Sequence, residues 1–165
     1  MGTVQPRKNL QRLIEAFARL KAQDSRFNNL KLFIAGKLGW NYDEVVRLAK
    51  MHSVIITGYV DETIRQILLK NALVYVQPSI TEGFGLPILE AMAAGVPVVS
   101  SSGGALPEVV GDAGLLFDPY NIDEMGDKIK EAMGNRQLIN KGWKRVKEFS
   151  WDKATIETYN ILTKL

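Results

Sequence analysis

Five short apolar runs, at residues 30–35, 54–57, 73–77, 96–100 and 114–117, restrict this chain most, because the stretches between them are too long for hairpins. The runs are rich in Val, Ile and Leu and end at Gly36, Gly58, Pro78, Ser101 and Asp118, so they read as strands buried on both faces. Connections of a dozen or more residues suit parallel strands, and several here carry helical periodicity. Leu10, Leu13, Ile14, Phe17 and Leu20 mark one face of a helix over 9–23, Ile64, Ile67 and Leu68 one over 62–70, and a third covers 86–94. The expected fold is α/β: a Rossmann-like, mostly parallel sheet with right-handed crossovers and helices on both faces. Beyond Asp118 and Pro119 the chain turns helical, over 122–133, over 136–148 and from Trp151 onward with Ser150 as N-cap.

At 165 residues and 46% hydrophobic side chains, residues 1–165 suffice for one core and are read as a single domain. The 21 basic and 18 acidic residues form no long blocks, which argues against nucleic acid as a partner. Without cysteine there is no disulfide, thiolate nucleophile or thiolate metal cluster. No apolar run approaches the ~20 residues that span a bilayer, so a soluble, cytoplasmic protein is expected. His52 is the only histidine and has no clustered ligand type beside it, so no metal site is expected. Trp143 and Trp151 are expected to pack on helical faces.

In open parallel sheets, ligands bind beyond the carboxyl ends of strands, where helix N-termini present unpaired amides and partial positive charge. The segment from Ser79 to Glu90 fits that rule: a strand enters a loop with Gly83 and Gly85, then a helix with Pro87 in its first turn. The two glycines let the backbone approach a ligand, and Glu82 and Glu90 can accept hydrogen bonds from sugar hydroxyls in one cleft. Two glycines and two glutamates taken alone also describe a tight turn with solvated charges.

The run from Glu82 through Gly83, Phe84, Gly85, Leu86, Pro87, Glu90, Ala91, Met92, Ala93, Gly95 and Pro97 to Val98 and Val99 resembles the signature of the family 4 glycosyltransferases with the GT-B fold. The resemblance implies that Glu82 contacts the hydroxyls of the transferred sugar, that the amides of Gly83, Phe84, Gly85 and Leu86 hold sugar and phosphate, and that Glu90 binds the ribose diol. It also places Lys8 on the donor diphosphate, where its ammonium would meet the departing charge beside the start of the first helix. Thr3 stands where the family commonly has arginine, and Arg7 is the candidate substitute. After the second strand, Val60 and Glu62 are placed at the nucleobase. A carboxylate there would match the two adjacent N–H groups of guanine, whereas Asp61 and Glu62 also suit a plain helix start.

The resemblance further implies a retaining hexosyltransferase, with mannosyltransferase as a candidate class, working in polysaccharide or glycolipid assembly. Its substrate is a GDP- or UDP-linked sugar and it needs no cofactor. This chain would be the donor-binding half, lacking an N-terminal domain that brings the acceptor and any membrane contact at the inner face. By itself it is expected to bind donor weakly and transfer nothing. The family's strand before Gly2 would be central in a 3-2-1-4-5-6 order, so its absence implies either pairing with another molecule, such as a second copy, or a rearranged sheet. Two other readings stand beside this one. A dinucleotide-binding dehydrogenase domain is weakened by Ile88 at the third glycine position and by Ser100 to Ser102 where an acidic residue belongs. A non-catalytic nucleotide-binding or assembly module shares the same fold.

Overall fold

The computed structural model describes residues 2–163. Apolar spacing and capping account for the helices. Asn9 precedes α1, Leu10–Gln23, its side chain donating to Pro78 O and Pro119 O instead of capping, and the helix buries Leu13, Ile14, Ala16, Phe17 and Leu20, the face expected from the sequence. Then come β1 (Phe33–Ala35), α2 (Asp43–Met51), β2 (Ile55–Gly58), α3 (Glu62–Lys70), β3 (Tyr75–Gln77), α4 (Leu86–Ala93), β4 (Val98–Ser101), α5 (Leu106–Val110) and β5 (Gly114–Phe117). Three helices close the chain: α6 (Ile122–Ala132), α7 (Arg136–Val146) and α8 (Trp151–Leu162). Ser150 caps α8, accepting from Lys153 N at 3.1 Å.

All strand pairs are parallel, as expected, but they form two sheets instead of one: β1 with β2, and β3-β4-β5. Strands β1, β3 and β4 begin later than the apolar runs suggest, although pairing continues outward: Ile55 N donates to Leu32 O and Tyr75 N to Pro97 O, each at 2.9 Å. Two short helices also differ from expectation. Val45, Leu48 and Ala49 give α2 a buried face, and Leu106, Val109 and Val110 give α5 one, in two connections where the sequence led to no helix being expected.

Side chains alternate across the three-stranded sheet as the pleat requires. Val98 packs with Ile88, Met92 and Leu106 on one face, and Val99 with Leu13, Phe117 and Met125 on the other. Helix α1 serves both sheets, since Leu13 and Leu20 join the core over β4 and β5 while Ile14 and Phe17 join Val4, Ile34 and Val54. Between the sheets lies a slot of about 550 Å³, walled by residues 30–35 on one side and 73–77 on the other and backed by Leu10, Leu13 and Phe17. Trp143 lies against Gly95, where an added Cβ would stand 3.1 Å from the ring, but Trp151 is 78% exposed and packs on nothing that hides it. The expectation for Trp151 fails because α8 buries no residue at all.

Candidate functional site

The loop from β3 to α4 is seated by its neighbours before its side chains do anything. Ile80 N donates to Arg7 O at 2.9 Å, Ala105 N to Glu82 O at 3.0 Å, and Ser101 Oγ to Ser79 O at 2.5 Å. A Cβ on Gly103 would stand 2.0 Å from Ile80 O, and one on Gly104 would stand 2.5 Å from Glu82 O. These two glycines therefore let the loop after β4 lie directly on the Glu82 segment. Neither was expected from the sequence to have a role, because such a cross-loop approach leaves no periodic signal.

Glu82 is the hub of the site. Lys8 Nζ donates to its Oε1 at 2.6 Å and Arg7 Nη1 to its Oε2 at 2.5 Å, while Ser79 Oγ and Gln77 Nε2 donate to Oε1 at 2.8 and 3.2 Å. Arg7 Nη1 also reaches Thr81 O at 2.7 Å. Lys8 lies just ahead of α1, where the sequence put it, and ends a 3₁₀ turn, Pro6–Lys8, after which Asn9 adopts a left-handed conformation. That turn aims both cations at Glu82. Behind them the buried Gln77 donates to Ser79 Oγ at 2.8 Å and accepts from the Tyr75 hydroxyl at 2.6 Å, a polar relay that sequence motifs do not reveal.

Burial pushes the Glu82 carboxyl up, but the hydrogen bonds from Lys8, Arg7 and Ser79 and the charge of Lys8 outweigh it and hold the pKa down to about 2, from an ordinary 4.5. A carboxyl depressed by folding stabilises the native state above its unfolded pKa and ceases to do so as pH falls through the folded one. Discounted for solvent screening, the contribution of Glu82 is on the order of 2 kcal/mol, and it is expected to be complete above about pH 4.5 and lost between there and about pH 2. Urea unfolding between pH 6 and 3 should show this loss in the wild type and a flatter profile in Glu82→Gln. Equal slopes would move the acid sensitivity to other carboxylates.

Gly83 and Gly85 differ in what the fold asks of them. Gly85 caps α4 at φ 101°, and a Cβ there would stand 2.8 Å from Leu106 Cδ2, so both backbone and packing require glycine. Around Gly83 nothing lies within 4 Å of an added Cβ, and its φ is not in the left-handed region. Its bareness keeps open space rather than satisfying the fold. Among the described residues, the amides of Gly83, Phe84 and Gly85 donate to no protein acceptor, which leaves three donors at the N-terminus of α4. Phe84 and Leu86 are half-exposed beside them, Phe84 with its ring edge-on to Phe149 at 5.8 Å.

Glu90 sits in the second turn of α4 and takes Arg65 Nη1 on both oxygens, each at 2.6 Å. Glu82 and Glu90 therefore have separate cationic partners instead of a shared one. They remain within electrostatic reach of one group: the Tyr75 hydroxyl is pushed up first by burial and then by the charges of Glu90 and Glu82. Val60, partly buried, precedes α3 in the loop after β2, where Asp61 caps the helix by accepting from Ile64 N at 2.8 Å. The plain capping role thus holds for Asp61. Glu62 is engaged by Gln66 at 2.9 Å and by Arg65. Its carboxyl is lowered, chiefly by the Gln66 hydrogen bond and then by Arg65.

Residues 1–148 match the model of the glycosyl transferases group 1 family. The chain belongs to that family. Among group 1 glycosyl transferases it is 38% identical to O-antigen chain mannosyltransferase B of Escherichia coli, over 97% of this chain and 44% of that protein. It is 34% identical to an MMP alpha-(1->4)-mannosyltransferase of Mycolicibacterium hassiacum, over 96% of this chain and 40% of the relative. The structure superposes on sucrose-phosphate synthase of Thermosynechococcus elongatus with a TM-score of 0.80 at 23% identity, covering 99% and 44% of the two chains. The fold is that of one half of a GT-B glycosyltransferase, and the chain spans less than half the length of the curated relatives it matches. Membership in the group 1 family removes the dehydrogenase reading. No helix among the described residues is long and apolar enough to cross a membrane.

Proposed function

We propose that this chain is the donor-binding half of a retaining hexosyltransferase that takes a nucleoside-diphosphate sugar, with no further cofactor. The observation that carries this reading is the convergence of two cations, a depressed carboxylate and three unpaired amides at the N-terminus of α4. Lys8 and Arg7 neutralise the diphosphate as charge develops on the departing oxygen, and the amides of Gly83, Phe84, Gly85 and Leu86 cradle the phosphate and sugar. Glu82 accepts from the sugar hydroxyls and Glu90 from the ribose diol, while Val60 and Glu62 contact the base. A donor already carries a good leaving group, so positioning and electrostatic stabilisation are the tasks the protein must perform. Two named mannosyltransferases among the relatives support mannose as the transferred sugar. An N-terminal half supplies the acceptor and holds the enzyme at the cytoplasmic face of the membrane, so the chain alone binds donor weakly and transfers nothing.

Calorimetric titration with GDP-mannose, UDP-glucose, GDP and UDP tests this directly. The wild type is expected to bind, GDP more tightly than UDP because Glu62 can take both adjacent N–H groups of guanine. Gly83→Val, whose Cβ would meet nothing within 4 Å, should keep its melting temperature and lose binding by more than tenfold, since the side chain fills the space beside the amides. Absence of nucleotide binding by the wild type would overturn the donor site. Equal or inverted affinities for GDP and UDP would remove the guanine preference alone.

A further inference from the structure

Arg65 belongs to no motif of the sequence, yet it joins two residues assigned to the donor. Its Nη1 donates to both oxygens of Glu90 at 2.6 Å, and its Nη2 donates to Glu62, whose other oxygen takes Gln66 Nε2 at 2.9 Å. Glu62, Arg65 and Gln66 share one face of α3, three and four residues apart, whereas the bond to Glu90 crosses from α3 to α4. The Arg65 and Glu90 side chains are 28% and 27% exposed, so the pair is covered on one side and open on the other. An ionised carboxylate has roughly four lone-pair positions. Arg65 uses one position on each oxygen, so the carboxylate keeps acceptor capacity.

We propose that Arg65 is the positioning residue that presents Glu90 to the ribose diol and ties that grip to Glu62 at the base. This rests on the assignment of Glu90 to the ribose made above. A free glutamate samples several rotamers and loses that freedom on binding a ligand. Arg65 removes most of those rotamers in the empty site, so a ribose meets an acceptor pair already oriented. It also cancels a negative charge that would otherwise oppose the approaching diphosphate. The planar fork is what permits simultaneous contact with two carboxylates, and a lysine in its place offers one compact charge without that geometry.

The readout is the preference for a ribose over a 2′-deoxyribose. GDP, UDP and their 2′-deoxy forms are titrated against the wild type, Arg65→Ala and Arg65→Lys, with thermal melting to check the fold. The wild type is expected to bind the better nucleotide about tenfold more tightly than its 2′-deoxy form. In Arg65→Ala both forms bind equally at the weaker level, and Arg65→Lys falls between. A residue that only supports the fold would weaken both forms alike and keep the ratio; a ratio near ten in either variant overturns the proposal. Should Arg65→Ala fail to fold, Arg65→Lys decides by the same ratio. A wild type that binds GDP without preferring the ribose overturns the role of Glu90, and one that binds neither nucleotide overturns the donor site as well.

Discussion

A chain carrying an added apolar run of about six residues, joined ahead of Gly2, is expected to melt roughly 10 °C higher than the chain as it stands. The register for such a run is already set. Gly2 N donates to Ala35 O at 3.0 Å, Val4 N donates to Lys37 O at 2.8 Å, and Val4 pairs with Leu38 in parallel. Continued backward in that register, a strand lies beside Ile34 and Leu32 on one edge and faces β3 on the other, within the slot between the two sheets. Six residues span about 20 Å, and a strand buried on both faces should be Val- and Ile-rich. Each buried branched side chain contributes about 1.5–3 kcal/mol and each new hydrogen bond about 1 kcal/mol, against about 1.5 kcal/mol per residue for ordering. The balance is favourable because two strand edges are paired at once, and a rise of 10 °C at this chain length needs only about 3–5 kcal/mol of it. An extension of the same length built from Gly, Ser and Pro is the control. If both extensions leave the melting temperature unchanged, the slot does not accept a strand. Open edges also favour pairing between copies, so the apolar extension should reduce any dimer seen by light scattering.

The split sheet also shows what the sequence could and could not disclose. Strand polarity, helix order and the core face of α1 were legible because they depend on local periodicity: Leu13, Ile14, Phe17 and Leu20 are buried where their spacing puts them, whereas α3 leaves Ile64 and Ile67 exposed and buries Leu69 instead. The motif that holds Glu82 and Glu90 was legible because a strand-to-helix turn with Gly85 at positive φ has a compact signature. Arg65, Ser79, Gln77 and the Gly103 and Gly104 buttress were not. Arg65 reaches Glu90 in another helix and the two glycines lie against a distant loop, while Ser79 and Gln77 act on Glu82 within five residues but through a turn that no periodicity marks; only the i, i+3 spacing of Glu62 and Arg65 hinted at a shared helical face. The 3₁₀ turn that carries Lys8 up to α1 was not legible for a related reason. A left-handed Asn9 ends the 3₁₀ turn and redirects the lysine, and no composition rule anticipates that residue's φ of 56°.

Lys8→Ala and Glu82→Gln are expected to move nucleoside-diphosphate affinity in opposite directions, and the contrast separates an anion site from a structural ion pair. In the free chain, Glu82 already occupies the ammonium of Lys8 and the guanidinium of Arg7, and the Lys8 side chain is only 18% exposed. An incoming diphosphate must therefore share both cations with a carboxylate that stays ionised at neutral pH. Removing Lys8 deletes a charge-assisted donor and leaves Glu82 to repel the phosphates, so GDP should bind some 100-fold more weakly. Replacing Glu82 by glutamine removes the competing charge at a distance of a few ångströms, so GDP without a sugar should bind about tenfold more tightly at low salt, and less so as salt screens the site. GDP-mannose should gain less than GDP from the same change, because glutamine is a poorer acceptor for the sugar hydroxyls than a carboxylate. Calorimetry of GDP and GDP-mannose on the three proteins at two ionic strengths measures all of these. Weaker GDP binding by Glu82→Gln would mean that the carboxylate only fixes the loop, and unchanged binding by Lys8→Ala would place the phosphates away from the 3₁₀ turn.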